Sequence, residues 1–203
     1  MSFTRLQIWN LALAKAGISR QLVDDKVLDS PLAQTLHNLY EPTLFSFLEE
    51  HSWSFAKRTV PLTLSDYKHI KWEFCYEYPD DCLCIRMITS KASIDTKDEI
   101  PVLYEIITDE NTGRLLIGTN EADAYAIYTT NNIREEAFPS MFVQAFATRL
   151  AAEIAMAHAG DRGKHLDLLQ LSMQMGEGSK EINANEAIHV VCDYESKYRR
   201  ARY

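Results

Sequence analysis

At 203 residues with 46% hydrophobic content, the chain carries enough apolar mass for one substantial core. Its formal charge of −8 excludes a general nucleic-acid binder, because affinity for phosphate comes from Lys and Arg releasing counterions. No apolar run approaches the roughly 20 residues of a membrane span. The start, Met1-Ser2-Phe3-Thr4-Arg5, lacks the charged head and apolar block of a secretion signal, so synthesis in the cytoplasm is expected.

The first helix is expected over residues 3–16, with Thr4 and Gln7 as a capping box and Gly17-Ile18 as a left-handed stop. Leu6, Trp9, Leu13 and Ala16 form one apolar stripe and Ile8, Leu11 and Ala12 another. Two stripes need two packing partners, either within the chain or from a neighbouring copy. On the second alternative, Leu6, Ile8, Trp9, Leu11 and Leu13 are candidates for packing between subunits.

Ser30-Pro31 is a strong helix start, serine as cap and proline where its missing N–H costs nothing. Leu32, Leu36, Leu39, Tyr40, Leu44, Phe47 and Leu48 recur at helical spacing to about residue 50. Pro42 interrupts that pattern and predicts a kink, since it removes the hydrogen bond to the Asn38 carbonyl.

From Trp53 the period shortens to two. Val60, Leu62 and Leu64, then Phe74, Tyr76 and Tyr78, then Leu83, Ile85 and Met87 read as strands. Segments 102–107, 114–117 and 124–130, separated by turns at 109–113 and 118–120, read as an antiparallel meander. Helical spacing returns at Phe138-Pro139, continues through Met141, Phe142, Ala145, Phe146, Leu150 and Ile154, and breaks at Gly160-Asp161-Arg162-Gly163. A last helix is expected from about Lys164, with Leu166, Leu169 and Met173 on one side and a bend or interruption at Gly176 and Gly178.

The fold class read from this order is α+β. An antiparallel bundle of about four helices (1–58 and 134–188) carries an inserted antiparallel β-domain (59–133) and ends in an extended tail (189–203).

Several constellations have chemical readings that the spacing disfavours. His158, Asp161, His165 and Asp167 are metal-ligand types, but two histidines seven apart on one helix lie roughly 10 Å apart by rise, so no metal site is expected. Cys82 and Cys84 point the same way from a strand with Cα atoms nearly 7 Å apart, which strains a disulfide; they are expected to fill one sheet face. With Cys75 and Cys192 they make four cysteines, too few for a disulfide framework. Asp80 and Asp81 follow Pro79 and read as a turn. The local signatures of serine hydrolases, metalloproteases, P-loop enzymes and dinucleotide binders do not occur, and no cofactor is expected.

The last residues, 188–203, alternate apolar and polar and then concentrate Tyr194, Tyr198, Arg199, Arg200, Arg202 and Tyr203 on an otherwise acidic chain. Tyrosine and arginine dominate interface energetics, so this tail is expected to dock on a partner, by strand addition or by arginine pairing with acidic groups.

The stretch 39–56, a long helix ending in Trp53-Ser54-Phe55-Ala56 before a β-region, resembles the tail tubular protein A family, the head-to-tail adaptor of short-tailed bacteriophages. Phe138-Pro139-Ser140-Met141-Phe142 leading into an alanine-rich helix, and the basic-aromatic tail, fit the same order. The resemblance implies a structural virion protein, not an enzyme, assembled in the host cytoplasm. It implies a ring of typically twelve copies beneath the portal protein, the bundle forming the ring, the β-domain reaching toward the tail nozzle protein, and the tail on the portal. Genomic DNA would pass without specific binding, and the acidic balance suits such a conduit. Two other classes stand beside it. One is a small enzyme with a site at the bundle–sheet junction, which a buried titratable cluster there would favour. The other is a helical nucleic-acid-binding module, which needs Arg5, Lys15, Arg20, Arg149 and Arg162 on one face.

Overall fold

A computed structural model describes residues 3–19, 21–22, 24, 30–96 and 100–186, in which helices and antiparallel sheets both occur. In chain order the elements are α1 (Arg5–Lys15), α2 (Pro31–Glu49), a 3-10 turn (Ser54–Ala56), β1 (Lys57–Pro61), β2 (Phe74–Glu77), β3 (Cys82–Ser90) and α3 (Lys91–Thr96). They continue as β4 (Tyr104–Thr108), β5 (Leu115–Thr119), β6 (Ala124–Thr130), a second 3-10 turn (Glu135–Ala137), α4 (Ser140–Ala159) and α5 (Arg162–Glu186).

Both ends of α1 follow from local chemistry. Thr4 Oγ1 accepts the Gln7 N–H at 3.3 Å while Gln7 Oε1 accepts the Thr4 N–H at 3.0 Å, satisfying two orphan donors reciprocally. Gly17 takes φ +74°, and the Gly17 and Ile18 amides donate back to the Ala14 and Leu13 carbonyls, closing the helix. Both apolar stripes find partners inside the chain: α1 packs along α4, and Trp9 meets Tyr40 of α2 edge to face at 6.3 Å. Ile8, Trp9 and Leu13 are fully buried there, and Leu6 and Leu11 lie half-buried against the same core. Three of the five residues expected between subunits are therefore core residues of the subunit itself, because the neighbouring helices already cover them.

Ser30 Oγ accepts the Ala33 N–H at 3.2 Å at the head of α2, which continues through the exposed Pro42 to Glu49. The main helical core combines Leu36, Tyr40, Phe47 and Leu48 of α2 with Phe142, Phe146, Leu150 and Ile154 of α4. Small side chains on α4, including Ala145, Ala147 and Ala151, are wholly buried and let the helices approach closely.

The strands form two three-stranded antiparallel sheets, ordered β1-β6-β3 and β2-β5-β4. The expected meander holds only for β4 and β5, since β5 and β6 belong to different sheets. Tyr76 and Ile117 from one sheet pack with Ile88, Ala124, Ala126 and Tyr128 from the other, and burying this apolar face is what separates β6 from β5. The helix α3 was not expected; Ser90 Oγ accepts the Ser93 N–H at 3.2 Å at its start.

The last helix also departs from expectation. It runs unbroken through Gly176 and Gly178, and its buried side carries Ser172 and Gly176, with Leu168 and Met175 against the core. Of the three residues expected on one side of this helix, Leu166 and Met173 are half exposed and Leu169 is half-buried. Gly176 lies over the Phe47 ring, where a side chain at that position would stand 3.8 Å from the ring atoms.

Candidate functional site

The junction between helices and sheets is built around Arg86, the one charged side chain in an otherwise apolar stretch of β3. Its Nε donates to Thr129 Oγ1 at 2.9 Å, and Nη2 reaches the carbonyls of Leu48, Glu49 and His51 at 3.0, 3.0 and 2.8 Å. The Leu48 and Glu49 carbonyls end α2 and have no intrahelical donors, so the guanidinium satisfies them at the negative end of the helix dipole; the His51 carbonyl, just beyond the helix, also accepts the Trp53 amide at 3.1 Å. At the far end of the bundle Lys164 Nζ donates to the Ala16 carbonyl and closes α1 in the same way.

On the other side of the junction, Arg5 Nε donates to Glu135 Oε1 at 2.8 Å and lies over the Tyr40 ring at 4.7 Å. The Tyr40 hydroxyl donates to the same oxygen at 3.5 Å. Burial alone would lower the Arg5 guanidinium, but Glu135 outweighs it and holds it above its ordinary value. Burial, and then the Glu135 charge, drive the Tyr40 phenol strongly upward. Arg5, Tyr40 and Glu135 thus form a partly buried titratable cluster in which the carboxylate accepts from both the guanidinium and the phenol.

Two aromatic segments meet at the same place. Phe55 stands 5.7 Å from Phe138 and 4.8 Å from Phe142, while Trp53 is 5.0 Å from Phe142 and 5.8 Å from Phe47. The segment entering the strands and the segment leaving them are thus packed face to edge in one cluster.

Asp81 organises the end of the first sheet. It accepts from the Tyr128 hydroxyl at 2.7 Å, the Thr130 hydroxyl at 2.8 Å and Arg58 Nη1 at 2.6 Å. Burial would raise its carboxyl, but the two hydroxyls and the guanidinium hold it below the ordinary carboxylate range. The turn expected at Pro79-Asp80-Asp81 is present, closed by the Cys82 amide on the Pro79 carbonyl at 3.0 Å; the contacts of Asp81 to the sheet were not expected. Beyond it lies an open groove of about 840 Å³, lined in part by Tyr67, Tyr78, Asp80, Asp109 and Arg114. Asp109 is already committed, accepting from the Asn111 amide at 2.8 Å and the Thr112 hydroxyl at 2.5 Å.

Cys82 and Cys84 are half-buried free thiols, with Cys82 Sγ 3.3 Å from the Tyr78 hydroxyl. Burial, partly offset by that hydrogen bond, pushes the Cys82 thiol up to about 11. Among the four residues considered for a metal, Asp161 caps α5 by accepting the Lys164 N–H at 2.9 Å, and His165 Nδ1 lies 2.9 Å from the Ala152 carbonyl. Among the described residues no group of three His, Cys, Asp or Glu side chains is placed to hold a metal ion, and no helix is long and apolar enough to cross a membrane.

Of the basic residues a nucleic-acid module would gather, Arg5 is paired with Glu135, and Arg149 Nη2 with Glu50 at 2.8 Å. Arg20 lies outside the described residues, as do Tyr194, Tyr198, Arg199, Arg200, Arg202 and Tyr203 of the tail. Exposed apolar side chains instead mark the helical surface: Met156 of α4 with Leu166, Leu171 and Met173 of α5. Leu166 and Met173, seven residues apart, share one side of the helix. No protein-family model matches the chain, and no curated protein matches it.

Proposed function

We propose that this chain is the adaptor ring subunit that joins the portal of a short-tailed phage to its tail nozzle. The reading takes residues 1–58 and 134–188 as the ring-forming bundle, 59–133 as an inserted β-domain, and 189–203 as a segment that engages other chains. The observation that carries it is the aromatic cluster of Trp53, Phe55, Phe138 and Phe142. The two stretches on which the family resemblance rests lie more than eighty positions apart in sequence, at either end of the β-region, and here they form one packed unit.

The contact between copies is assigned to α5 and not to α1, whose Ile8, Trp9 and Leu13 are fully buried inside the subunit. Leu166 and Met173 leave two large apolar side chains half exposed on α5, where a neighbouring copy would cover them. The net negative charge favours passage of DNA through such a ring without adhesion.

Mixing the purified chain with its portal and imaging the particles tests the reading. A closed ring of the chain on the portal is expected, and the double variant Leu166→Lys, Met173→Lys should fold but fail to close it. A chain that stays monomeric at every portal concentration would end the proposal.

A further inference from the structure

The two sheets have four outer edges, and three of them are guarded. Against β2, the Ser65 amide donates to the Cys75 carbonyl at 2.8 Å and the Glu77 amide to the Thr63 carbonyl at 2.9 Å, so residues 63–65 cover that edge. Against β3, the Val102 amide donates to the Ile88 carbonyl at 2.8 Å and Pro101 bridges Thr89. The outer edge of β1 carries Lys57 and Arg58 and ends in Pro61, which are residues that discourage strand pairing.

The fourth edge, β4, has no such protection. Among the described residues its backbone pairs with β5 alone. The alternation of the ladder is fixed from the other side of the sheet: Cys75 and Glu77 bond outward, so Phe74 and Tyr76 face β5, and Glu105 and Ile107 are the β4 residues that face it. Tyr104, Ile106 and Thr108 therefore turn their N–H and C=O groups outward. The edge has no proline and only Glu105 as a charge, and Leu103 and Ile106 beside it are 77% and 47% exposed.

We infer that this edge of β4 receives, as an added strand, residues 188–194 of a second copy of this chain. Ile188, Val190, Cys192 and Tyr194 alternate with His189, Val191 and Asp193. That pattern lays one apolar row along Tyr104 and Ile106 and a mixed row along Glu105. Where the segment starts is also informative. Lys164 of α5 lies at the end of α1, Thr148 Oγ1 stands 3.6 Å from Met175 Sδ, and Gly176 is over Phe47, so α5 heads from the far end of the bundle toward the base of the sheets. Ile188 lies two positions beyond Glu186, the last described residue of α5, and the segment that follows contains no glycine, proline or asparagine. A copy that offers one edge and one strand makes a head-to-tail contact, the kind that closes into rings. The arginine-bearing end, 199–202, stays available to another partner.

Native Cys192 supplies the test. Leu103→Cys, Ile106→Cys and Thr108→Cys, each at an exposed position, are made singly in the full-length chain. Each is oxidised mildly, both as concentrated free protein and mixed with portal, and read by non-reducing electrophoresis with mass spectrometry. The inference expects at least one variant to give a disulfide between copies in either condition, abolished by Cys192→Ser, since neighbouring strands bring Cα atoms within disulfide range. No such link in either condition, or links only within one chain, overturns it. Because ring formation is seen separately by imaging, rings without the crosslink sink the strand exchange alone, while crosslinked copies without rings sink the adaptor reading alone.

Discussion

Replacing Arg86 by Met keeps the length of the side chain and removes every polar contact it makes across the junction. Its contacts to Thr129, to the Leu48 and Glu49 carbonyls that end α2 and to the His51 carbonyl are lost, the last three sharing the two hydrogens of Nη2. The Glu49 carbonyl contact is exposed, so water can take its place, and the His51 carbonyl keeps the Trp53 amide; the partly buried Leu48 carbonyl is the one that loses most with its donor. Charge-assisted bonds of this kind contribute about 1.5–3 kcal/mol each before rehydration, so a net loss of roughly 2–4 kcal/mol is expected. For a chain of this size that lowers Tm by about 5–12 °C, followed by near-ultraviolet circular dichroism. Arg86→Lys should fall between, because one ammonium cannot reach Thr129 and the helix end together. If Arg86→Met melts within about 1 °C of the parent, the junction is held by apolar packing alone and the guanidinium argument is wrong.

Two further outcomes follow from the same contacts. Asp81 has a folded pKa below its unfolded one, so its contribution is full above the ordinary carboxylate range and disappears as pH falls through the depressed value. Asp81→Asn should therefore cost about 1–2 kcal/mol near neutrality and much less in strong acid, as read from urea unfolding at a series of pH values. Gly176→Ala should stabilise by about 0.5–1 kcal/mol, because the added methyl meets Phe47 at ordinary contact distance and alanine is the better helix former; chemical denaturation of the variant measures it.

Elements with local signals were readable in advance. The Thr4–Gln7 box, the Gly17-Ile18 stop and the Ser30-Pro31 start all depend on residues within a turn of one another, and all are present in the structure. The identity of sheet partners was not readable: 124–130 has the same alternation whichever sheet it joins, and its pairing with β1 and β3, strands distant in sequence, is what separates it from β5. The spacing of Leu166, Leu169 and Met173 put them on one side of α5 without saying which side packs. There the core selects close approach, placing Ser172 and Gly176 inward and leaving Leu166 and Met173 outside. Arg86 and Lys164 close helices whose ends lie 35–38 and 148 positions away, a separation that no local pattern can carry. An isolated arginine between Ile85 and Met87 was the available clue. The candidate docking tail was legible as composition, whereas the open edge of β4 needed the ladder itself.

The meeting of Phe55 with Phe138 also governs how the chain tolerates change in length. With entry and exit clamped at one point, the entropy of closing the intervening excursion grows only with the logarithm of its size, about 0.6 kcal/mol for each doubling. Insertions at the exposed 109–113 turn should thus be nearly free, whereas a substitution that loosens either ring unties both strands of the crossing at once. Length is cheap in this molecule, and the clasp is not.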